Sequence, residues 1–160
     1  MTPITITGAL SMVSTNGDGA QLLTEAAEFL NALAQMGVQM AVVTNKFEGF
    51  ARAVLTQLGL IEPFAAVIGG DSMGRGEDGQ FLAKPHPAPV LAARAALGGG
   101  RFVVIGDSTY DARAAQAAGV PFVAAAYGYC DTAPEAMGAD AVIDSFGALI
   151  GVLAGLKSPA

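Results

Sequence analysis

Three short groups of polar residues could act together on a phosphate group. Thr44 and Asn45 follow an apolar run, Lys84 precedes a Pro-rich segment, and Asp107 and Asp111 lie in the segment GDSTYD. Hydroxyl, amide and ammonium groups donate hydrogen bonds to phosphoryl oxygens, whereas Mg²⁺ takes one or two carboxylates together with water and substrate oxygens. These residue types therefore indicate phosphoryl chemistry with a divalent metal.

Alternating strand and helix patterns predict the elements that position these residues. Runs such as 38–44 are apolar on nearly every residue, as in parallel strands that are covered on both faces. Stripes with a 3.6-residue period follow them and indicate helices. The predicted fold class is α/β, a doubly wound parallel sheet in a three-layer α/β/α arrangement with sites at the carboxyl ends of the strands.

The bounds of the elements follow from the same patterns. The loop at 11–20 is polar and Gly-rich, and Gly37 and Gly59 stand where helices end. Strands are predicted at 4–8, 38–44, 64–68, 102–105, 121–126 and 141–143. Helices are predicted at 22–36 (stripe Leu22, Ala26, Phe29, Leu33, Met36), 50–58 (stripe Phe50, Val54, Leu58), 87–97, 109–118 and 146–153.

The composition restricts the class of protein. The chain has 160 residues, 52% of them apolar and only 14% charged, which excludes disorder and favours a single domain over 1–160. A net charge of −6 without a basic run argues against nucleic-acid or membrane partners. The single Cys130 and single His86 argue against a disulfide and against zinc. No secretion signal or membrane span is evident, so we expect a cytoplasmic protein.

The order of the polar motifs resembles that of haloacid dehalogenase (HAD) superfamily phosphatases. The segments AVVTNK at 41–46, KPHP at 84–87 and VVIGDSTYDARAAQAAGV at 103–120 are similar to the phosphoglycolate phosphatase-like branch. The resemblance implies a HAD-like Rossmannoid core. It also implies that the site is open, because the segments between the motifs leave no room for a cap domain.

The resemblance further implies a role for each polar residue. Phosphate oxygens would be held by Thr44 and the Asn45 amide. Lys84 would neutralise the phosphate and the nucleophile, and Asp107 with Asp111 would form the acidic magnesium site. Each position carries a matching residue type in this chain.

Simpler structural explanations stay open for each residue taken singly. Thr44 could merely end a strand, and Lys84 could be a solvated surface lysine. Asp107 or Ser108 could be a helix N-cap, which is where such residues usually occur. The three motifs together, in order and at predicted strand ends, favour the functional explanation.

The first motif of the resemblance is degenerate in this chain. Family members begin with a strand ending in Asp-x-Asp-Gly-Thr-Leu, whose first Asp attacks phosphorus and whose second acts as general acid and base. The segment ITITGAL at 4–10 carries Thr5 and Thr7 at those positions. A threonine hydroxyl needs an adjacent base to become a nucleophile. His86 follows closely after Lys84, and the sequence leaves its distance from Thr5 open. We discount Asp18 as a displaced nucleophile because glycines flank it in a loop-like segment.

Loss of two carboxylates also changes the expected metal chemistry. We expect no metal to be bound in ordinary buffers, and Lys84 to form an ion pair with Asp107 or Asp111 instead. Mg²⁺ would be the cofactor if the protein is active. Without Mg²⁺, a phosphate ligand would meet two unshielded carboxylates, so we expect it to bind weakly.

Three functions remain open at this point. Our leading hypothesis is a catalytically inactive phosphatase-like domain that binds a phosphorylated small molecule or a protein partner. One alternative is an active Mg²⁺-dependent phosphohydrolase of the phosphoglycolate phosphatase-like type. The other is a structural or assembly subunit, suggested by the low charge content and the apolar stretch Phe146–Leu156. We expect self-association into a homo-oligomer for the same reason.

Overall fold

One parallel sheet organises the chain in the computed structural model, which describes residues 4–7, 19–126, 130–145 and 147–155. Six strands and five α-helices lie in this described part, with a short 3₁₀ turn at Pro134–Ala136. The strands are β1 Ile4–Thr7, β2 Met40–Val43, β3 Phe64–Ile68, β4 Val103–Gly106, β5 Phe122–Ala125 and β6 Ala141–Ile143. The helices are α1 Gly19–Gln35, α2 Glu48–Gln57, α3 Ala88–Ala96, α4 Thr109–Ala118 and α5 Ala148–Gly155.

The order of the strands creates the crevice in which a site is expected. The order is β3-β2-β1-β4-β5-β6, and every neighbouring pair is parallel. The chain runs outward from β1 to β3, then returns to the other side of β1 at β4. Ligands of doubly wound sheets bind at such a reversal, beyond the carboxyl ends of the strands. The predicted doubly wound α/β sheet is confirmed.

Two apolar clusters cover the two faces of the sheet. One cluster contains Leu33 of α1, Leu55 of α2 and Leu149 of α5. The other contains Val90 of α3 and Ala114 of α4. Successive residues of β2 contribute alternately to the two clusters, as the period of a strand requires. The helices therefore form two outer layers around the sheet, which confirms the three-layer arrangement.

Element bounds agree best where the sequence signals are local. The bounds of β3, α4 and β6 are those predicted, and the other described elements differ by a few residues at their ends. Gly37 ends the α1 region in the left-handed conformation, with φ of +76°, as its position predicts. In contrast, Gly19 and Ala20 were predicted to lie in a loop and belong to α1, while 11–18 lie outside the described residues.

The predicted stripe of α2 is correct at Val54 and Leu58, which are partly buried against the core, and wrong at Phe50. Phe50 is 57% exposed, and the buried positions of this helix are Ala51 and Leu55. Small Ala51 lets the helix approach the sheet closely, whereas a period read from large side chains alone selected Phe50. Met36, predicted on the stripe of α1, is also exposed because α1 ends at Gln35.

Helix lengths and hydropathy also bear on membrane insertion. In the described ranges, no helix is both long enough and apolar enough to cross a membrane.

Candidate active site

The carboxyl ends of β1, β2 and β4 bring the predicted polar residues to one edge of the sheet. Thr7, the last residue of β1, is in register with Val43 of β2, and the preceding residue pairs with β4. The chain leaves β2 at Thr44 and leaves β4 at Asp107. The backbone of β1 therefore ends between these two exits, in the crevice at the reversal of strand order.

Lys84 is the buried cation of this crevice, with only 7% of the residue exposed. Its Nζ donates hydrogen bonds to the Val43 carbonyl at 3.1 Å and to Asp111 Oδ1 at 2.5 Å. A buried ammonium needs such partners because leaving it unpaired in the interior is costly. The ion pair predicted between Lys84 and Asp107 or Asp111 is confirmed, and its partner is Asp111. An ammonium has three protons, so one is left for a further acceptor.

Asp111 holds Lys84 in place from the first turn of α4. The residue is 1% exposed, and its Oδ2 accepts hydrogen bonds from the Asp107 and Ser108 N–H groups at 3.1 and 3.2 Å. The Ser108 hydroxyl also bonds Asp111 Oδ2 at 3.0 Å, and its oxygen accepts from the Asp111 N–H. This is a capping box, in which N-cap and N3 residues satisfy each other's N–H groups. Both oxygens of Asp111 thus have protein donors, which favours a positioning role.

Thr44 and Asn45 form the turn that follows β2. Thr44 is buried, and its Oγ1 accepts a hydrogen bond from the Lys46 N–H at 3.2 Å, which leaves the hydroxyl proton for donation. The Asn45 side chain instead bonds the backbone of Lys84: its Nδ2 donates to the Lys84 carbonyl at 2.8 Å, and its Oδ1 accepts from the Lys84 N–H at 2.9 Å. The Asn45 side-chain amide therefore fixes Lys84 against the turn.

A glycine pair that sequence analysis did not assign supports this turn. The Gly70 N–H donates to the Lys46 carbonyl at 2.8 Å. A Cβ on Gly70 would lie 2.4 Å from the Asn45 carbonyl oxygen, and one on Gly69 would lie 2.2 Å from the Glu48 nitrogen. Only glycine fits so close to another backbone. The Gly-rich run after β3 is visible in the sequence, but the sequence does not show which part of the backbone these glycines contact.

Asp131 and Cys130 border the crevice on the α4 side and were also missed. Asp131 accepts hydrogen bonds from the Thr109 N–H at 2.9 Å and from its hydroxyl at 2.6 Å, and the hydroxyl bond is the main cause that lowers the pKa of Asp131. Burial, followed by the charges of Asp107 and Asp131, raises the pKa of the Cys130 thiol. A thiol that stays protonated at neutral pH is a poor nucleophile.

Comparison with known proteins places this arrangement in a family. A family model described as haloacid dehalogenase-like hydrolase matches residues 8–119, which is more than half of the chain. The chain belongs to the haloacid dehalogenase-like hydrolase family. The match includes the residues of the β2, Lys84 and β4 motifs, so the resemblance seen in the sequence is confirmed. It begins after β1 and does not include Thr5 and Thr7.

Individual relatives of this HAD chain bear the name phosphoglycolate phosphatase. The chain is 41% identical to the phosphoglycolate phosphatase of Rhodospirillum rubrum over 133 residues, which cover 82% of this chain and 52% of that protein. The crystal structure of a predicted phosphoglycolate phosphatase from Haemophilus somnus superposes with a TM-score of 0.69 at 31% identity, covering 79% of this chain and 54% of that one. The chain therefore spans about half the length of these relatives.

A third comparison concerns the fold alone. The crystal structure of a hydrolase from Pseudomonas syringae superposes with a TM-score of 0.72 at 18% identity and covers 99% of this chain and 100% of that one. The α/β fold is thus shared over nearly the whole chain. That the site has no cap, and that the protein self-associates, stay predictions.

The donor set of the crevice fits Mg²⁺. Asp107 is buried beside the Lys84–Asp111 pair, at the carboxyl end of β4. Within the described part of the chain, no group of three His, Cys, Asp or Glu side chains is arranged to hold a metal ion. Mg²⁺ suits such a site, since it usually takes one or two protein carboxylates and completes its shell with water and phosphate oxygens. Asp107 is the carboxylate that would hold it.

Other predicted site residues lie apart from this cluster or are described only in part. His86 Nδ1 accepts a hydrogen bond from the Ala88 N–H at 3.0 Å, so the imidazole caps the start of α3. Thr5 and Thr7 lie on the central strand β1, and the structure describes their backbone. Asp18 lies outside the described residues.

Proposed function

We propose that this chain provides the phosphate-binding and magnesium-binding side of a Mg²⁺-dependent phosphohydrolase of the phosphoglycolate phosphatase type. The observation that carries the proposal is the buried ammonium of Lys84, held by Asp111 and by the carbonyl of Val43, the residue that directly precedes Thr44. The names of the relatives favour this alternative over our leading hypothesis of an inactive domain.

Each residue has a defined task in the proposed reaction. Thr44 donates its hydroxyl proton to a phosphoryl oxygen, and Lys84 donates its remaining N–H and supplies positive charge. Asp111 fixes the direction of the Lys84 ammonium through Oδ1. Asp107 would hold Mg²⁺, which supplies charge neutralisation of the phosphoryl group when bound. These groups stabilise negative charge that develops on the phosphoryl oxygens, the largest contribution that a protein makes to phosphoryl transfer.

The site lacks the two carboxylates that the family resemblance assigns to nucleophilic attack and proton transfer. The family resemblance assigns attack and proton transfer to two Asp residues at the end of the first strand, where this chain has Thr5 and Thr7. A threonine hydroxyl attacks only when a base removes its proton. We therefore expect slow turnover, with Lys84 and Asp107 still essential because they stabilise the transferred group.

Binding of a phosphorylated ligand without turnover is the second candidate. It is favoured by the same two positions, since neither threonine supplies a carboxylate. In this case the cluster around Lys84 would bind a phosphate monoester and release it unchanged.

Hydrolysis assays on the purified chain distinguish the two candidates. Phosphoglycolate and an aryl phosphate are supplied with Mg²⁺ or with a chelator, and released phosphate is measured. We expect slow turnover that requires Mg²⁺ and falls about a hundredfold or more in Lys84→Met and in Asp107→Asn. The double variant Thr5→Asp/Thr7→Asp should be faster than the wild type, while Arg94→Met, a change on α3, should have no effect.

Each other outcome identifies which proposal fails. Phosphate binding by calorimetry without any turnover would establish the second candidate and reject the first. Turnover that survives Asp107→Asn would come from a contaminating phosphatase or from a different site. Neither turnover nor phosphate binding would overturn both candidates.

A further inference from the structure

A second cleft lies at the other end of the sheet from the crevice. It has a volume of about 450 Å³, and none of the residues assigned to the candidate active site lines it. Its lining includes Phe122, the first residue of β5, and Asp140, the residue just before β6. The cleft therefore lies at the amino ends of these two strands, whereas the polar residues of the crevice follow the carboxyl ends of β2 and β4.

The walls of this cleft are mostly apolar. Ala112, Gln116 and Gly119 recur at i, i+4 and i+7 and present one face of the α4 region to it. The buried residues Val120 and Met137 add apolar surface. Clefts of about 300–1,000 Å³ with mostly apolar walls and a few polar groups are typical of small-molecule sites. The size and the lining of the cleft therefore match those of a ligand site.

Asp140 is the charged residue of the cleft, and its position is fixed. Its Oδ2 accepts a hydrogen bond from the Phe122 N–H at 2.8 Å, and its own N–H donates to the Phe122 carbonyl at 2.8 Å. A carboxylate has about four lone-pair sites, so Asp140 keeps acceptor capacity for a ligand. A group that is held in place before binding loses little freedom when a ligand arrives.

The negative charge of Asp140 has no cation beside it in this part of the molecule. Among the described residues, no lysine or arginine lines the cleft, and none forms an ion pair with Asp140. The other polar side chain of the lining is the exposed amide of Gln116, which is neutral. The cleft thus combines apolar walls with one uncompensated negative charge.

We propose that this cleft binds a small organic cation with an apolar body. The body lies against Val120 and Met137, and an amidinium, guanidinium or ammonium group pairs with Asp140. A planar amidinium or guanidinium presents parallel N–H groups that match a carboxylate. An anionic ligand would meet the charge of Asp140 without any cation to offset it, so the cleft selects against anions. The site is separate from the proposed phosphate site and does not depend on it.

Three ligands of the same shape test the role of charge. Benzamidine, benzamide and benzoate each carry a planar head group on one phenyl ring and are cationic, neutral and anionic at neutral pH. Each is titrated into the ¹⁵N-labelled chain, and the amide signals are followed by nuclear magnetic resonance. Gly119 and Gly138 report on the cleft that they line, and Asn45 reports on the crevice.

Benzamidine should bind about fivefold more tightly than benzamide, the effect of one exposed charge pair. Benzoate should bind most weakly. Benzamidine should shift the signals of Gly119 and Gly138 and leave that of Asn45 in place.

Asp140→Asn removes the charge and keeps a side-chain oxygen for the Phe122 N–H. In this variant, benzamidine and benzamide should bind equally. Asp144→Asn is the matched control, because Asp144 is an exposed carboxylate just after the other end of β6 and does not line the cleft. This control should retain the preference for benzamidine.

Gln116→Lys tests the same charge without altering Asp140. Gln116 is exposed on α4, so the variant should fold, and the added ammonium should weaken benzamidine binding severalfold. Ala117→Lys adds the same charge at the next exposed position, which does not line the cleft, and should leave the affinity for benzamidine nearly unchanged.

Equal affinity of the wild type for the three ligands, or no binding of any of them, would overturn the proposal. A preference for benzamidine that persists in Asp140→Asn would also reject it, as would shifts confined to the crevice signal of Asn45. If Asp140→Asn does not fold, the comparison of Gln116→Lys with Ala117→Lys decides, and equal affinities for benzamidine in these two variants would reject the site.

Discussion

The two helix starts that border the crevice are built in different ways. At the start of α4, Ser108 and Asp111 cap each other, and the same carboxylate holds the ammonium of Lys84. At the start of α2, the N-cap residue Phe47 offers no side-chain cap. The cap comes instead from Asp71, whose Oδ1 accepts the N–H of Glu48 from 23 residues further along the chain.

One helix start is therefore stabilised by residues close in sequence, and the other by a residue from a distant segment. At the α4 start, the residues that cap the helix, Ser108 and Asp111, are neighbours in sequence, so this cap needs no distant segment. The α2 start depends on the position of the segment after β3, because Gly69 and Gly70 of that segment pack directly against the backbone of residues 45–48. We therefore expect changes at the α4 start to act through charge, and changes at the α2 start to act through backbone fit.

The largest effect is expected for the buried pair at the α4 start. Asp111→Ala leaves the Lys84 ammonium buried without its carboxylate, which should lower the free energy of unfolding by about 3–5 kcal/mol. Asp71→Ala, which removes only a cap at the α2 start, should cost about 1 kcal/mol. Urea unfolding followed by circular dichroism measures both.

Asp111→Asn keeps the size of the side chain and tests the charge alone. We expect it to lie between the wild type and Asp111→Ala in stability. Equal losses for Asp111→Ala and Asp71→Ala would show that the two helix starts do not differ as described.

A smaller effect is expected for the glycine contact at the α2 start. Gly70→Ala places a Cβ 2.4 Å from the Asn45 carbonyl oxygen and must displace the turn formed by Thr44 and Asn45. By analogy with overpacked sites, this should cost about 1–3 kcal/mol and weaken phosphate binding. Calorimetry with inorganic phosphate and urea unfolding measure the two effects.

Gly49→Ala is the matched control for this glycine contact. Gly49 lies in α2, and a Cβ added there would have no atom within 4 Å apart from its chain neighbours and the nearby backbone of its own helix. Alanine should therefore stabilise the helix by about 0.5–1 kcal/mol. A Gly70→Ala variant with unchanged stability and phosphate affinity would contradict the proposed contact.

The smallest effect is a pH dependence at the α4 start. The Thr109 hydroxyl lowers the pKa of Asp131 below its ordinary value of 3.8, so the stabilisation it provides is present above that value and is lost as the pH falls through the lowered one. Between about pH 6 and about pH 3, Asp131→Asn should therefore lose less thermal stability than the wild type. Thr109→Val, which removes the hydroxyl donor, should behave in the same direction. A larger acid-induced loss of thermal stability in Asp131→Asn than in the wild type would contradict a lowered pKa of Asp131.

Sequence patterns predicted the elements most reliably where their limits are set by neighbouring residues. The bounds of α4 follow from Ser108 at its start and Gly119, with φ of +70°, at its end. On α2, Phe50 was wrongly predicted to be buried, whereas the small buried residue Ala51 gives no strong periodic signal. The sequence left the position of His86 relative to Thr5 open, and only the structure shows that its imidazole accepts the Ala88 N–H at the start of α3.

By itself, the sequence determined the order of strands and helices, the doubly wound class and the identities of Thr44, Lys84, Asp107 and Asp111. These features are encoded in hydrophobic periods and short motifs that span a few residues. Only the tertiary structure decided that Lys84 pairs with Asp111 rather than Asp107, across 27 residues of sequence, and that the Asn45 side chain binds the Lys84 backbone, across 39. Such contacts depend on the register of the parallel strands and on how segments that are distant in sequence pack against each other. No local sequence pattern specifies either.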